Sequence, residues 1–588
     1  MDIIVNPNII RYMTRLLDRT SPMLQISDHI PEKPLSPTDI PIEQPFPRAK
    51  PEDKGVKSST VRDFIYEVIC DRDIKLHGII IIKDGSVIYE LDTDGHNGRM
   101  RHVCHSLSKS VTSMAIGMLV DEGRISLDDK VVKLLENRVN PLSTLGYRNL
   151  TVRHLLNMTS GASFAEVGTV VEKNWLKAYF ESSFTFQPGK KFNYNSLNSY
   201  VLSCIVKEVT GQGLVDFLTP RLFAPLGIRD LHWEKSPEGI ENGGWGLYLR
   251  REDVCKLAQL YLDGGVWKGE RLISEEWVKR STSAFIKTPD DAGDFNYGYH
   301  IWSNKEKGYF LFNGMFGQDA LVMKKQRMII VTNGGIEQLF QQSEYYKLVD
   351  KYFYNEPPAP TYDISLKRLT KELTGKYAKE GARRLFFKPL PKKVRKVLGV
   401  VYNAPSLHGK PFKGAQTIGS PRGCGLMPLA EQLLRNTYAT GIQSICLRLE
   451  DRQLYLDVDE YDSTKRLPIV PNKTVPTVVK FGQTQYRAAV HSVFSKDEHG
   501  IDVLMLRLEL PEIASTRYLR VYFKDDSITV RMSEMPGLGL VRMFADSVEN
   551  MLGKNKMIAD MVSKIDSDIL FLKLEKRFEP AFTLIRDK

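Results

Sequence analysis

Long apolar runs and closely spaced cysteines are both missing from this chain of 588 residues. No apolar run approaches the roughly eighteen residues that a membrane-spanning helix needs, so we expect no membrane span. The first residues lack a basic stretch followed by an apolar core, which argues against a secretion signal. The six cysteines are scattered without C-x-x-C spacing, and no His, Cys and Asp cluster has metal-ligand spacing. We therefore predict a cytoplasmic protein with reduced thiols that needs no metal and no cofactor.

Positive charge is concentrated in one segment. The formal net charge is +11, and residues 367–396 contain twelve Lys or Arg against two Glu, a net charge of +10. This basic segment either contacts an anionic polymer, membrane surface or acidic partner, or is a solvated connector. It has few aromatic residues, so we do not expect nucleic acid as a partner.

The pattern S-x-x-K occurs at Ser106 to Lys109, directly before an apolar stretch that ends at Gly123. The stretch predicts a helix with Gly123 as its C-terminal stop, and places Ser106 and Lys109 one turn apart on one face. A serine hydroxyl becomes a nucleophile when a neighbouring base takes its proton, and a lysine can do this only when neutral. The positive end of the helix favours neutral Lys109 and supplies N–H groups for an oxyanion. Alone, the pattern is common enough to arise by chance.

A second element surrounds Tyr194, which follows a Pro-Gly turn at 188–189 and precedes a helix-like segment through Glu208. A phenol near a cationic lysine can have its pKa lowered and can carry a proton between a nucleophile and a leaving group. The alternative interpretation is a packed aromatic residue.

The third element, residues 312–318, predicts the turn of a β-hairpin. Gly314 and Gly317 would let the backbone approach a ligand closely, and the N–H of Met315 could complete an oxyanion hole with that of Ser106. The alternative is that these glycines mark only a bulge.

The order and spacing of these three elements resemble the penicillin-recognising serine hydrolases, and within them the class C β-lactamase superfamily. The resemblance covers about residues 60–350 and extends to 154–161, 225–228 and 274–277. It implies an α/β (α+β) serine β-lactamase-like catalytic domain, in which helices flank an antiparallel sheet.

Two positions depart from the pattern usual in class C β-lactamases and DD-peptidases. Those proteins usually carry Asn as the third residue of the Tyr motif and Lys or His at the start of the third motif, where this chain has Ser196 and Phe312. An apolar Phe312 removes a cationic partner for a substrate carboxylate. The motifs look closer to 6-aminohexanoate-dimer hydrolases and related carboxylesterases, which argues against strong β-lactamase activity.

The resemblance also implies roles for individual residues. Ser106 would attack the acyl carbon, Lys109 would accept its proton, and Tyr194 would relay the proton to the leaving amine or alkoxide. The backbone N–H groups of Ser106 and Met315 would hold the oxyanion. The candidate substrate contacts are Ser196, Phe312, Asn313, Gly314 and Gln318. Ser196, Asn313 and Gln318 could equally be structural hydrogen-bonding residues.

Composition shifts divide the chain into four predicted parts. Residues 1–58 form an extended Pro-rich arm, 59–356 the hydrolase domain, and 357–400 a basic linker that contains prolines. Alternating apolar residues over 401–588 predict a C-terminal antiparallel β domain that is barrel-like. Within it, 541–563 reads as a helical insertion, followed by strands at 569–572 and 582–585.

The leading prediction is a serine hydrolase that cleaves a small amide or ester through an acyl-enzyme. Two alternatives stay open: a D-amino-acid-specific peptidase or weak β-lactamase, and a non-catalytic protein that binds penicillin-like ligands or cell-wall fragments. The sequence leaves the substrate open, and a homo-oligomer is compatible with it.

Overall fold

The computed structural model describes residues 29–587, except for 165, 170–171, 284, 290–292, 338–342, 376–389, 405–423, 438, 440, 461–462, 525 and 538–578. Contacts divide the described residues into two compact units. The N-terminal unit consists of Pro31–Asp92 and Asn97–Leu373. The C-terminal unit comprises 29–30, 93–96 and the described residues from 374 onward. The four-part division predicted from composition stays a prediction.

A seven-stranded antiparallel sheet organises the N-terminal unit. The strands of this unit are β1 (Leu76–Lys83), β2 (Ser86–Asp92), β3 (His102–Val103), β4 (His232–Trp233), β5 (Leu247–Leu249), β6 (Val266–Trp267), β7 (Glu270–Arg271), β8 (Asn296–Tyr297), β9 (Trp302–Asn304), β10 (Tyr309–Gly314), β11 (Gln318–Met323) and β12 (Met328–Gly334). The large sheet has the order β2-β1-β12-β11-β10-β9-β8, and a small sheet has the order β3-β5-β4. The predicted hairpin β10–β11 is confirmed, and β1 and β2 form a second hairpin.

Strand β1 shows why this sheet lies in the interior. Its four consecutive isoleucines, residues 79–82, are all buried. Ile80 and Ile82 enter the larger core, whereas Ile79 and Ile81 enter a second core on the opposite face. Because neighbouring side chains of a strand point to opposite faces, a strand covered on both faces is a continuous apolar run.

Helices cover both faces of the sheet, as the resemblance implied. They are α1 (Ser58–Cys70), α2 (Ser108–Asp121), α3 (Val131–Leu134), α4 (Val152–Leu156), α5 (Glu166–Thr169), α6 (Trp175–Glu181), α7 (Leu197–Thr210), α8 (Leu214–Leu218), α9 (Arg251–Leu262), α10 (Glu275–Ser281), α11 (Glu344–Val349) and α12 (Leu366–Leu373). Residues 108–119 of α2 are all buried, so this helix packs on every side within the larger core. A Cβ at Gly117 would lie 2.5 Å from the Trp277 ring, which explains the glycine in mid-helix. The predicted stop, Gly123, follows α2 with a φ of 68°.

The Pro-rich stretch before α1 is held by charged side chains of α9 and the residue before it. Arg250 donates to the carbonyls of Ile40 and Pro41, both at 3.1 Å, and Lys256 donates to that of Glu43 at 2.7 Å. Buried Asp253 contacts both cations, at 2.8 Å each. Extended chain with many prolines cannot satisfy its own carbonyls, so these cations supply the missing donors.

The C-terminal unit is built on a ten-stranded antiparallel sheet that is barrel-like, as predicted. Its strands are β13 (Val401–Asn403), β14 (Ile442–Glu450), β15 (Gln453–Glu460), β16 (Ser463–Ile469), β17 (Lys473–Phe481), β18 (Thr484–Lys496), β19 (Asp502–Glu509), β20 (Thr516–Phe523), β21 (Ser527–Met535) and β22 (Ala581–Arg586), and its helices are α13 (Lys392–Lys396) and α14 (Leu429–Leu434). The sheet order is β16-β15-β14-β13-β22-β21-β20-β19-β18-β17, and the end strands β16 and β17 also contact each other. Strands β16 to β18 were not predicted, because their polar residues obscure the alternation. The predicted helix at 541–563 and strand at 569–572 lie outside the described residues.

Of the helices in the described part of the chain, none combines the length and the apolar character that crossing a bilayer requires.

Candidate active site

Ser106 lies in a 3-10 turn, His105–Leu107, that leads directly into α2. His105 has a φ of 46°, a left-handed conformation that is uncommon for residues with a side chain. Ser108 Oγ donates to the His105 carbonyl at 2.6 Å, and the N–H of Cys104 donates to the Leu247 carbonyl at 2.7 Å. Backbone strain beside a half-buried hydroxyl is typical of a functional site.

Lys109 lies one turn along α2 and reaches back to Ser106. Its Nζ donates to Ser106 Oγ at 2.8 Å and to the carbonyl of Gly244 at 2.8 Å, and the side chain is buried. Burial lowers the pKa of Lys109 to about 7, although the negative charge of Glu166 acts in the opposite direction. At neutral pH a large fraction of Lys109 is therefore neutral and can accept the Ser106 proton.

Tyr194 lies beside Lys109, just before α7. Lys109 Nζ is 4.8 Å from the centre of the Tyr194 ring. The ring stacks on Trp302 at 6.0 Å and meets Tyr297 edge-on at 6.0 Å. This apolar packing raises the pKa of Tyr194. The expectation that a lysine would lower it was wrong, because desolvation of the phenolate dominates. The phenol thus keeps its proton and can donate it.

The end of β10 lies against the turn that carries Ser106. A Cβ at Gly314 would lie only 2.2 Å from the carbonyl oxygen of Cys104, so the two backbones are in direct contact. Glycine is required for this approach. Met315 is the next residue, and its proposed place in an oxyanion hole stays a prediction.

Phe312 lies in the interior. Its side chain is fully buried and meets the Tyr261 ring edge-on, with ring centres 5.2 Å apart. It therefore packs in the larger core, where a lysine or histidine would have to be desolvated.

The amides of Asn313 and Gln318 bond to the protein itself. Asn313 Nδ2 donates to Asp319 Oδ1 at 2.6 Å. Gln318 Nε2 donates to the carbonyls of Phe316 at 3.1 Å and Gly334 at 2.7 Å, which anchors the β10–β11 turn. These contacts support the structural interpretation of both side chains.

Three polar residues near the cluster were not singled out from the sequence. The first is His300, whose Nε2 is 2.8 Å from Ser199 Oγ. Burial, together with the charge of Lys109, lowers the pKa of His300 to about 3, so the imidazole stays neutral. No local motif marks this histidine, because its neighbours come from α2 and α7.

The second is Asp319, the residue after Gln318 on β11. Its Oδ2 accepts from the Tyr346 hydroxyl at 2.7 Å and its Oδ1 from Asn313. Burial raises the pKa of Asp319 to about 6. The signal that could have found it is a lone carboxylate in a strand whose next four residues, 320–323, are apolar.

The third is Glu166, an exposed residue at the start of the short helix α5. Its Oε1 accepts from the backbone N–H of Ser196 at 2.9 Å. The N–H of Ser196 is thus engaged, while its role as a substrate contact stays a prediction.

The site offers a hydroxyl, an amine and a phenol, which are groups for proton transfer and nucleophilic attack rather than a preferred set of metal ligands. An antiparallel sheet between helical layers, with this cluster at the start of a buried helix, is characteristic of the class of proteins with a β-lactamase-like fold.

Comparisons with known proteins agree with this class. Residues 73–336 match the family model described as Beta-lactamase. The chain is similar to this family over those residues.

Two curated relatives illustrate the similarity. The 6-aminohexanoate-dimer hydrolase of Paenarthrobacter ureafaciens is 28% identical over 222 residues, which cover 34% of this chain and 55% of that protein. Penicillin-binding protein 4* of Bacillus subtilis (strain 168) is 22% identical over 306 residues, which cover 44% of this chain and 65% of that protein. The chain thus spans between about half and two thirds of these relatives.

Among solved structures, a D-stereospecific amidohydrolase from Streptomyces sp. is similar, with 17% identity and a TM-score of 0.39. The match covers 50% of this chain and 98% of that one.

Proposed function

We propose that the N-terminal unit is a serine hydrolase that cleaves a small amide or ester through an acyl-enzyme on Ser106. The observation that carries this proposal is the 2.8 Å contact between Lys109 Nζ and Ser106 Oγ, made by a lysine whose pKa is lowered to about 7. The pair supplies a nucleophile together with a base that is competent at neutral pH.

The proposed reaction has two halves. Lys109 accepts the Ser106 proton while Oγ bonds to the acyl carbon, and the N–H groups of Ser106 and Met315 stabilise the tetrahedral oxyanion. Tyr194 donates its proton to the departing nitrogen or oxygen and regains one from Lys109, which releases the amine or alcohol. Water then adds to the acyl-enzyme with loss of its proton to the same groups, and the carboxylic acid leaves as Ser106 is reprotonated.

The residue at position 312 favours amide and ester substrates that do not need a carboxylate for binding. Phe312 is buried in the larger core, so this position offers no cation to a β-lactam or peptide carboxylate. A D-amino-acid-specific peptidase or weak β-lactamase is the alternative within the same chemistry. A non-catalytic binding protein would not need the lowered pKa of Lys109, so it is the least favoured of the three candidate functions.

Intact mass of the full chain after exposure to a fluorophosphonate tests this function. We expect the native protein to gain one phosphonyl group and Ser106→Ala to gain none. Ser143→Ala, which changes a half-buried serine outside the cluster, is the matched control and should label like the native protein. Turnover of p-nitrophenyl esters should be lost with the labelling. Labelling that persists in Ser106→Ala, or a native protein that neither labels nor turns over any ester, would contradict the proposal.

We also retain the cytoplasmic location, the homo-oligomer and an anionic contact for the basic segment 367–396 as proposals. The six cysteines are all present as thiols, which fits a reducing compartment. Residues 376–389 of the basic segment lie outside the described residues, so its charge alone supports that contact.

A further inference from the structure

Two arginines lie opposite each other on the outward face of the ten-stranded sheet. Strands β20 and β21 pair in antiparallel register, and this register places Arg520 directly across from Arg531. Both side chains are exposed, whereas the neighbouring residues Leu519 and Val530 are buried. Because side chains of a strand alternate between its two faces, the sheet presents the two guanidinium groups side by side to the solvent.

Neither arginine forms an ion pair with an acidic residue in the part of the chain that the structure describes. The other residues paired with them in register are Met505, opposite Arg520, and Ala581, opposite Arg531. The guanidinium carbon of Arg531 lies 5.6 Å from the centre of the Tyr522 ring. Like charges that are directly opposite in a sheet destabilise it, so an anion bound at both arginines would relieve a repulsion.

Other arginines of the same unit are neutralised by carboxylates. Arg466 donates to Asp457 at 2.8 Å and to Glu450 at 2.7 Å, and Arg507 donates to Asp94 at 2.8 Å. The fold thus places acids beside these guanidinium groups and places none beside the pair on β20 and β21. The anion that would complete this pair must therefore come from a ligand.

Apolar and aromatic side chains share this face of the sheet. Met505 is paired with Arg520 and is 39% exposed, and Ile585 of β22, which strand alternation puts on the same face, is 43% exposed. Tyr518 and Tyr522, two residues to either side of Arg520, are half-buried. The face therefore combines aliphatic groups, phenols and guanidinium groups. We call it the arginine face, and it consists of Met505, Tyr518, Arg520, Tyr522, Arg531 and Ile585.

The occupant that fits this mixture of side chains is the surface of a phospholipid membrane. Exposed aliphatic side chains can enter the acyl boundary, tyrosines favour the headgroup level, and a guanidinium group binds phosphate in a bidentate manner. A second copy of the arginine face does not fit, because it would bring four arginines together. A nucleic-acid strand offers phosphates but would leave Met505 and Ile585 without apolar partners.

The charge of the chain favours an anionic membrane. Residues 374–588 contain 35 Lys or Arg and 24 Asp or Glu, a net charge of +11 that equals the net charge of the whole chain. Residues 1–373 are therefore neutral overall. Electrostatic attraction to an anionic surface acts on the part of the chain that carries the arginine face.

We propose that the arginine face binds the surface of an anionic phospholipid membrane. Lipid phosphates contact Arg520 and Arg531, while Met505 and Ile585 enter the acyl boundary. The binding is peripheral and reversible, because a few basic and apolar residues give only modest affinity. This inference goes beyond the proposed hydrolase, since the arginine face contains no residue of the Ser106 cluster.

Co-sedimentation of the full chain with vesicles tests the proposal. Vesicles of one third phosphatidylglycerol and two thirds phosphatidylcholine are compared with vesicles of phosphatidylcholine alone. We expect the native protein to bind the anionic vesicles at least about thirtyfold more tightly, and salt at about 0.5 M should weaken this binding. Arg520→Gln/Arg531→Gln should lower the partition coefficient by about thirtyfold, since both phosphate contacts are lost. Met505→Ser should lower it by about threefold through the loss of apolar burial.

The matched control is Arg452→Gln/Lys480→Gln, which removes the same charge from two exposed residues elsewhere on the sheet. Both residues lie on strands or turns at least three strands away from β20 and β21 in the sheet order. This control should bind anionic vesicles within about twofold of the native protein, because charges at that distance are largely screened. Circular dichroism verifies that each variant folds, and turnover of a p-nitrophenyl ester without vesicles should be the same in all of them.

Several results would overturn the inference while the proposed hydrolase stands. They are a native protein without preference for anionic vesicles, an arginine double variant that binds like the native protein, and a control that loses as much binding as that variant. Binding of a single-stranded DNA oligonucleotide instead of vesicles would assign the arginine face to nucleic acid. Competition by inorganic phosphate at matched ionic strength would assign it to a free anion. Absence of ester turnover, by contrast, would remove the proposed hydrolase and leave the membrane result unaffected.

Discussion

Two buried lysines, one in each unit, have opposite surroundings. Lys109 is 1% exposed, and its partners are the Ser106 hydroxyl and the Gly244 carbonyl, both neutral. Lys465 is 2% exposed and lies 3.3 Å from the carboxylate of Glu460. Burial alone therefore does not make a lysine a base. Desolvation lowers the pKa of Lys109 because the charge of Glu166 compensates only in part for the loss of water around the ammonium form.

Buried carboxylates show the same contrast. Asp253 lies between Arg250 and Lys256, at 2.8 Å from each. Asp319 is hydrogen-bonded by the neutral groups of Asn313 and Tyr346, and its pKa rises to about 6. Both Lys109 and Asp319, whose hydrogen-bond partners named above are neutral, belong to the segments that form the candidate active site. Ionisable groups in such surroundings are what proton-transfer chemistry needs.

We expect the largest effect from replacing Lys109, the buried lysine whose hydrogen-bond partners are neutral. Lys109→Met should lower kcat for a p-nitrophenyl ester by about 10³–10⁴-fold, because Ser106 loses its base. Lys109→Arg should be similarly inactive, since a guanidinium does not deprotonate at neutral pH. Steady-state kinetics, with circular dichroism to verify folding, measures both. An active Lys109→Arg enzyme would show that charge, not proton transfer, is the role of Lys109.

Replacing Lys465, the buried lysine beside a carboxylate, should instead lower the stability of the fold. Lys465→Met leaves the Glu460 carboxylate buried without its cation, and we expect the free energy of unfolding to fall by about 3–5 kcal/mol. Esterase activity per folded molecule should stay at the native value. Lys177→Met, which breaks the exposed pair with Glu181, is the control and should cost less than about 1 kcal/mol. Denaturant unfolding followed by tryptophan fluorescence and circular dichroism distinguishes these results.

Asp319 should impose a pH dependence on stability. Burial raises its pKa in the folded protein to about 6, above that of an ordinary aspartate, so the folded state binds its proton more tightly than the unfolded state. The contribution of Asp319 to the free energy of unfolding is fully present below the pKa of this group in the unfolded state. It is lost as the pH rises through about 6. From pH 4 to pH 7 this group should therefore remove about 2–3 kcal/mol from the free energy of unfolding.

Comparison with Asp319→Asn isolates that contribution. The difference in unfolding free energy between native protein and variant should change by this amount over the same pH range. A difference that does not vary with pH would show that Asp319 is paired with a positive charge in solution.

The smallest effect comes from giving Lys109 a carboxylate partner. His300 has a φ of 59°, which Asp and Asn tolerate, and its ring is electrostatically coupled to Lys109. His300→Asp should raise the pKa of Lys109 and lower kcat/KM at pH 7 by about tenfold, with recovery at higher pH. His300→Asn keeps the site neutral and should retain the native midpoint near pH 7 in the profile of kcat/KM. If both variants show the same profile, His300 is not close enough to influence the base.

Sequence patterns predicted those features that depend on neighbours along the chain. The S-x-x-K spacing placed Ser106 and Lys109 on one face because a helix brings residues three apart together, and the structure has Oγ and Nζ 2.8 Å apart. The order of the three elements led to the correct fold class and to the β10–β11 hairpin. The pKa direction of Tyr194 was wrong because a nearby lysine is visible in a motif, whereas the packing of Trp302 and Tyr297 is not.

By itself, the sequence determined the family resemblance, the two β-rich regions and the three residues of the proposed catalytic cluster, since local spacing and alternation record helix turns and strand faces. Only the tertiary structure decided that Lys109 is buried among neutral acceptors, that Phe312 packs into the core, and that Glu166 lies beside Tyr194. These properties depend on desolvation and on charges contributed by segments distant along the chain. No local pattern records which of those segments will meet.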